Sequence, residues 1–176
     1  MKRYLPSVLL TGVVLSSGAA NAAPAPFGLE IGASCDSATQ YNAQSQGVSA
    51  ITDGPVYEIG GNQIDFEGLQ SVTVICDEQT NVAAVVADFQ KRFGGATFNR
   101  LVDMLRDEYR LVEMNDAHVG DQNARFQADE VHILVEEPHM SRTTSLVYKT
   151  EAFSDAFAAY QQQQQRRQQE KEAGQL

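Results

Sequence analysis

Ser71-Val72-Thr73-Val74-Ile75-Cys76-Asp77, then Glu78-Gln79-Thr80-Asn81, then Val82-Ala83-Ala84-Val85-Val86-Ala87-Asp88-Phe89: this stretch decides the fold. Along residues 71–77 the side chains alternate. Val72, Val74 and Cys76 share one face of an extended chain; Thr73, Ile75 and Asp77 share the other. The four polar residues that follow read as a hairpin turn, and 82–89 returns as a second long strand. A hairpin of this length needs a sheet around it, and the sheet is expected to be mostly antiparallel.

Downstream, Gly94-Gly95 breaks the strand and Thr97 is the expected N-cap of a helix. Phe98, Leu101, Val102, Leu105 and Tyr109 then form one apolar face at a 3.6-residue period, with Asp103, Arg106, Asp107 and Arg110 turned outward. Residues 124–128, 131–135 and 145–148 are expected strands. Residues 136–142 read as an exposed connection, because Pro138 cannot donate to a ladder. Thr150 caps a last helix with Phe153, Ala156, Phe157 and Tyr160 as its docking stripe. Upstream, Ser34 caps a helix expected over residues 35–46 and ended by Gly47, with Asp36 suited to its first turn. Residues 56–59 follow as a short strand closed by Gly60-Gly61.

Working out to the termini, residues 1–22 read as a secretory signal peptide. Lys2 and Arg3 give a basic start, residues 5–15 an apolar stretch, and Ala20-Asn21-Ala22 a cleavage site with small residues. The apolar stretch is too short for a spanning helix, which needs about 20 residues. A lipid-anchored cysteine would sit directly at the cleavage site, and the first cysteine is Cys35, so no lipid anchor is expected. A periplasmic or secreted protein is therefore expected, with one domain over residues 23–160. Residues 161–176 form a Gln-rich polar tail, either a helical extension or disordered, with no apolar anchor to bury.

The whole chain carries a formal charge of −10. Without Lys2 and Arg3, 11 basic residues face 23 acids, a charge of −12. Such a chain repels nucleic acid and anionic membrane surfaces.

Cys35 and Cys76 are the only cysteines. In an oxidising compartment an even count suggests a structural disulfide. Two buried free thiols are the main alternative, since a redox pair would show a close C-x-x-C spacing. A bond would require the N-terminal end of the first helix to lie over the turn end of the hairpin.

The order of elements reads as helix and three strands, twice, then a closing helix. It resembles small exported proteins built from tandem α-β-β-β units: uncharacterised periplasmic proteins of Gram-negative bacteria, the β-lactamase inhibitory protein and the outer-membrane assembly lipoprotein that shares its fold. Leu29-Glu30-Ile31-Gly32 leading to a short helix looks like the start of such a unit. The resemblance implies a binding role, and no residue of a binding site is carried over with it.

No catalytic constellation stands out. His132 and His139, with Glu136 and Glu137 between them, do not match H-E-x-x-H. An isolated histidine in an apolar strand is ordinarily structural. His118 lies between Asp116 and Asp121, and Asp103, Asp107 and Glu108 cluster on a helix, as expected of a solvated face in an acidic chain. G-x-S-x-G, P-loop and dinucleotide motifs are missing. The expectation is an α+β domain with a mostly antiparallel sheet, helices on one face and a possible tandem repeat. Catalytic, metal and cofactor-binding residues are assigned to none, and Cys35 and Cys76 to a disulfide. The expected function is a non-enzymatic envelope protein that binds another macromolecule, as assembly factor, modulator or inhibitor. The alternatives are a periplasmic hydrolase using acidic residues, or a small-ligand or metal-binding protein.

Overall fold

In the computed structural model, residues 23–117 and 120–174 are described. The leader reading at 1–22 and the reading of His118 lie outside them. Eight strands form one antiparallel sheet: β1 Gln44–Val48, β2 Pro55–Gly60, β3 Leu69–Cys76, β4 Val82–Gln90, β5 Arg110–Asn115, β6 Gln122–Ala128, β7 Val131–Glu137 and β8 Thr143–Thr150. Their spatial order is β1-β2-β3-β4-β8-β7-β6-β5. Two four-stranded meanders thus meet along β4 and β8. Helix α1, Ala96–Arg106, crosses from the centre of the sheet to its far edge, and α2, Glu151–Ala173, follows β8.

The hairpin forms as its alternation dictates. Val72, Val74 and Cys76 are buried, together with Val85, Ala87 and Phe89 of β4. Leu146 and Tyr148 of β8, Ile133 and Val135 of β7, and Ala124 and Phe126 of β6 continue this face across the sheet. Helix α1 covers it with Phe98, Leu101, Val102 and Leu105, all buried. Burying a side chain of this size contributes about 1.5–3 kcal/mol.

Several expectations are corrected. The helix expected over residues 35–46 is a 3-10 helix at Cys35–Tyr41, and Asn42 ends it in the left-handed region (φ 45°). The chain then enters β1, whose five residues are all exposed. Strand β5 was not expected either, so each half holds four strands rather than three. Thr97 is not the cap of α1. Gly95 occupies that position at φ 70°, and the Thr97 hydroxyl donates to the Gln90 carbonyl at 2.9 Å. Tyr109 lies beyond the helix, which stops at Arg106. Residues 136–137 are not in an exposed connection; they close β7, with Glu137 paired to Gln122.

The helices do not share a face. Phe153 of α2 packs with Ala83, Ala84, Ile75 and Ile51, on the side of the sheet opposite α1. Phe153 is the one buried residue of α2, and Phe157 is 38% exposed. The expected four-residue stripe is therefore a single anchor at the first turn. Thr150 does cap this helix, its hydroxyl accepting from Phe153 N at 3.1 Å. From Gln161 to the end of α2 every residue is exposed.

Cys35 and Cys76 are bonded, with their Cα atoms 6.3 Å apart. The backbone explains how they meet. Gly32 N donates to Val82 O, Val82 N to Ala33 O, and Cys35 N to Thr80 O, each at 2.8 Å. The N-terminal segment is thereby laid along the turn end of the β3-β4 hairpin. Ser34 caps the 3-10 helix, accepting from Asp36 N at 3.2 Å.

Candidate functional site

Among the described residues, two regions that combine accessible apolar groups with a cleft stand out. The first is at one end of the sheet, where the loop after β4 meets the loop between β7 and β8. Lys91 joins them. Its backbone N donates to Arg142 O at 3.0 Å, and its ammonium donates to Pro138 O at 2.9 Å and His139 O at 3.3 Å. The same ammonium lies 3.6 Å from the carboxylate of Glu137, which is 2% exposed. Thr144, itself buried, donates its hydroxyl to Glu137 at 2.5 Å. A buried carboxylate needs such partners.

The two loops so fixed carry Phe93 and Met140, which are 104% and 90% exposed. Beside Phe93, Arg92 donates to Glu67 at 2.6 Å. That bond, with the charges of Arg92 and Arg100, holds the Glu67 carboxyl below its usual range. A cleft of about 760 Å³ lies between the loops, with Asp116, Glu137 and His139 among its lining residues.

The second region is a cleft of about 670 Å³ over the centre of the sheet. Its floor is Leu146 and Tyr148 of β8. One wall is α1, through Leu101, Met104 and Leu105; the other is formed by Phe27, Tyr41, Ile64 and Phe66. That second wall is built from chain-distant parts. The Tyr41 hydroxyl donates to Phe27 O at 2.5 Å, and the Phe66 ring meets Phe27 and Phe89 edge-on at 5.6 and 5.4 Å. The Arg100 guanidinium stacks over the Phe66 ring at 5.3 Å. At the foot of α1, Tyr109 meets Tyr148 edge-on at 6.3 Å. Burial pushes the Tyr148 phenol well above its usual range, and Tyr109 and Glu108 add to the effect. Burial also raises Tyr109, as does the neighbouring Glu108.

Of the histidines and acids singled out in the sequence, Asp116, Glu137 and His139 come together at the first cleft, and the others are dispersed. His132 sits half-buried on the face of β7 opposite the core. His139 is in the exposed loop, its backbone N donating to Asp121 at 2.7 Å. Asp103 is exposed and pairs with Arg106 along the helix at 3.6 Å. Glu108 joins the second cleft and Asp116 the first; Asp107 is exposed and lines neither. Among the described residues no group of three His, Cys, Asp or Glu side chains could hold a metal ion, and no helix is long and apolar enough to cross a membrane.

Sequence reasoning missed Phe93, Met140 and the aromatic residues of the second cleft. Phe93 is flanked by Arg92 and Gly94, and Met140 by His139 and Ser141, so neither belongs to an apolar period. An isolated apolar residue inside a polar loop was the one available signal. No family model, curated protein or solved structure matches this chain.

Proposed function

We propose that this chain is an exported, non-enzymatic binding protein that docks on another envelope or secreted protein through the loop end bearing Phe93 and Met140. The observation that carries the reading is the full exposure of these two side chains on loops tied together by Lys91. Single exposed apolar residues are ordinary. Two on adjoining, hydrogen-bonded loops have the character of interface anchors, where a few aromatic and apolar groups carry most of the binding energy. The Lys91 bonds hold the loops in advance, which lowers the ordering cost of association. Arg142, exposed beside Met140, suits a partner that offers a carboxylate next to an apolar pocket. The leader-like residues 1–22 support export, and a helix followed by four strands in each half supports kinship between the halves.

The test is capture from the native envelope with the wild-type protein and with a Phe93→Ser, Met140→Ser double variant. Both substitutions are on the surface, so the melting temperature should stay within about 2 °C. A partner retained by the wild type should fall at least about ten-fold with the variant, the loss expected of a hot-spot anchor. Equal retention by both proteins would remove the loop end from consideration.

A further inference from the structure

The cleft over β8 is independent of the loop end and has a distinct chemistry. Its volume of about 670 Å³ falls within the range of small-molecule sites, roughly 300–1,000 Å³. Its walls are aromatic and aliphatic, and its floor is the central strand of the sheet, so the surface offered is fixed by the core. Among its lining residues there is no Lys, Arg or His. The charged groups that line it are carboxylates, Glu108 at one end and Asp65 on the opposite wall. Arg100, whose guanidinium lies over the wall residue Phe66, is already engaged. It donates to the Glu67 carbonyl at 2.6 Å and to the Glu67 carboxylate at 3.2 Å, and its flat face covers Phe66.

An anionic ligand would meet these carboxylates inside a chain whose formal charge is already −10. A cation is favoured on both counts. The Glu108 end adds a further feature, because the rings of Tyr109 and Tyr148 stand there edge-on at 6.3 Å. Aromatic faces attract ammonium groups, and a neighbouring carboxylate strengthens that attraction. Apolar contact is supplied further along by Phe27, Phe66, Met104 and Leu146.

We propose that this cleft binds a small organic cation with an apolar body. Its ammonium lies at Glu108 beside the Tyr109–Tyr148 ring pair, and its apolar part lies along Leu146 and Met104 towards Phe27 and Phe66. The site is a second function of the fold and does not depend on the loop end.

The experiment holds the apolar body constant and changes the charge. The purified protein is titrated with 4-phenylbutylamine, 4-phenylbutanol and 4-phenylbutanoate at neutral pH, followed by calorimetry and by tyrosine fluorescence. The chain contains no Trp, so its emission comes from tyrosines, of which Tyr41, Tyr109 and Tyr148 line the cleft. The amine should bind at least about five-fold tighter than the alcohol, and the carboxylate weakest, as expected for a cation held by a carboxylate and aromatic faces. Glu108→Gln should reduce the amine to the affinity of the alcohol and leave the alcohol unchanged. Glu108 is exposed, so the variant should keep its melting temperature. Asp65→Asn, away from the tyrosine pair, should retain the preference. Three equal affinities, a preference that survives Glu108→Gln, or no binding of any probe at millimolar concentration would each overturn the proposal.

Discussion

Tyr148 shows how much one residue can be asked to do in this fold. It is 6% exposed, its ring forms the floor of the central cleft, and burial keeps its phenol protonated well above the usual range. The ordinary value is 10.0. In the unfolded chain the group ionises near that value, whereas in the folded chain it holds its proton to higher pH. The unfolded state therefore binds fewer protons in this window, and stability falls as pH rises from about 10 towards the folded value. Tyr109 shifts in the same direction and steepens the loss. Urea unfolding at pH 8 and pH 11 should show this decline, and Tyr148→Phe should make it shallower, because phenylalanine has no proton to lose. A decline of the same depth in the variant would mean that Tyr148 ionises in the folded protein as readily as in water. Glu67 shows the reverse case. Its lowered carboxyl contributes at neutral pH and ceases to do so in acid, but it is fully exposed, so solvent screens the effect.

At the scale of elements, α1 and α2 are opposites. Four buried apolar residues seat α1, whereas α2 is held by Phe153 and its Thr150 cap. The 13 residues from Gln161 to Ala173 carry no buried group, and at 1.5 Å per residue they extend roughly 20 Å. A chain ending at Tyr160 should therefore melt within about 2 °C of the full protein. A larger fall, measured by circular dichroism, would show that the Gln-rich stretch docks on the domain. The elements legible in the sequence were those with a buried stripe. The β3-β4 hairpin, β7 and α1 declare themselves because alternate or 3.6-period positions must be apolar to form a core. The strands not foreseen, β1 and β5, are the two edges of the sheet. Gln44-Ser45-Gln46-Gly47-Val48 is exposed throughout and is a strand only because β2 offers it hydrogen bonds. Without a period to mark β1, the sequence reads as one helix over residues 35–46 ended by Gly47, where the structure ends a 3-10 helix at Tyr41. The clefts were illegible for a related reason. Phe27, Tyr41, Phe66, Leu105 and Tyr148 are far apart in the chain and meet only after folding, so no local pattern records them.

For the molecule as a whole, the Cys35–Cys76 bond does for the N-terminal segment what burial does for the rest. It closes a separation of 41 residues that includes the edge strand β1. A ring of about 42 residues restricts the unfolded chain by roughly 4 kcal/mol on the loop-entropy model. Replacing both cysteines with alanine should lower stability by a few kcal/mol in denaturant, and the N-terminal segment should exchange its amide hydrogens first. Unchanged stability would mean that the backbone bonds to Thr80 and Val82 suffice. The two open edges have a consequence of a different kind. In β1 the register shifts between Ser45 and Gly47, with Gly47 at φ 94°, and in β5 it shifts between Leu111 and Glu113, leaving Val112 without a partner. Each rim is therefore bent where a straight row of amides and carbonyls would otherwise invite a neighbouring molecule to extend the sheet. The eight-stranded sheet thus carries at both margins a kink that denies a growing fibril its first rung.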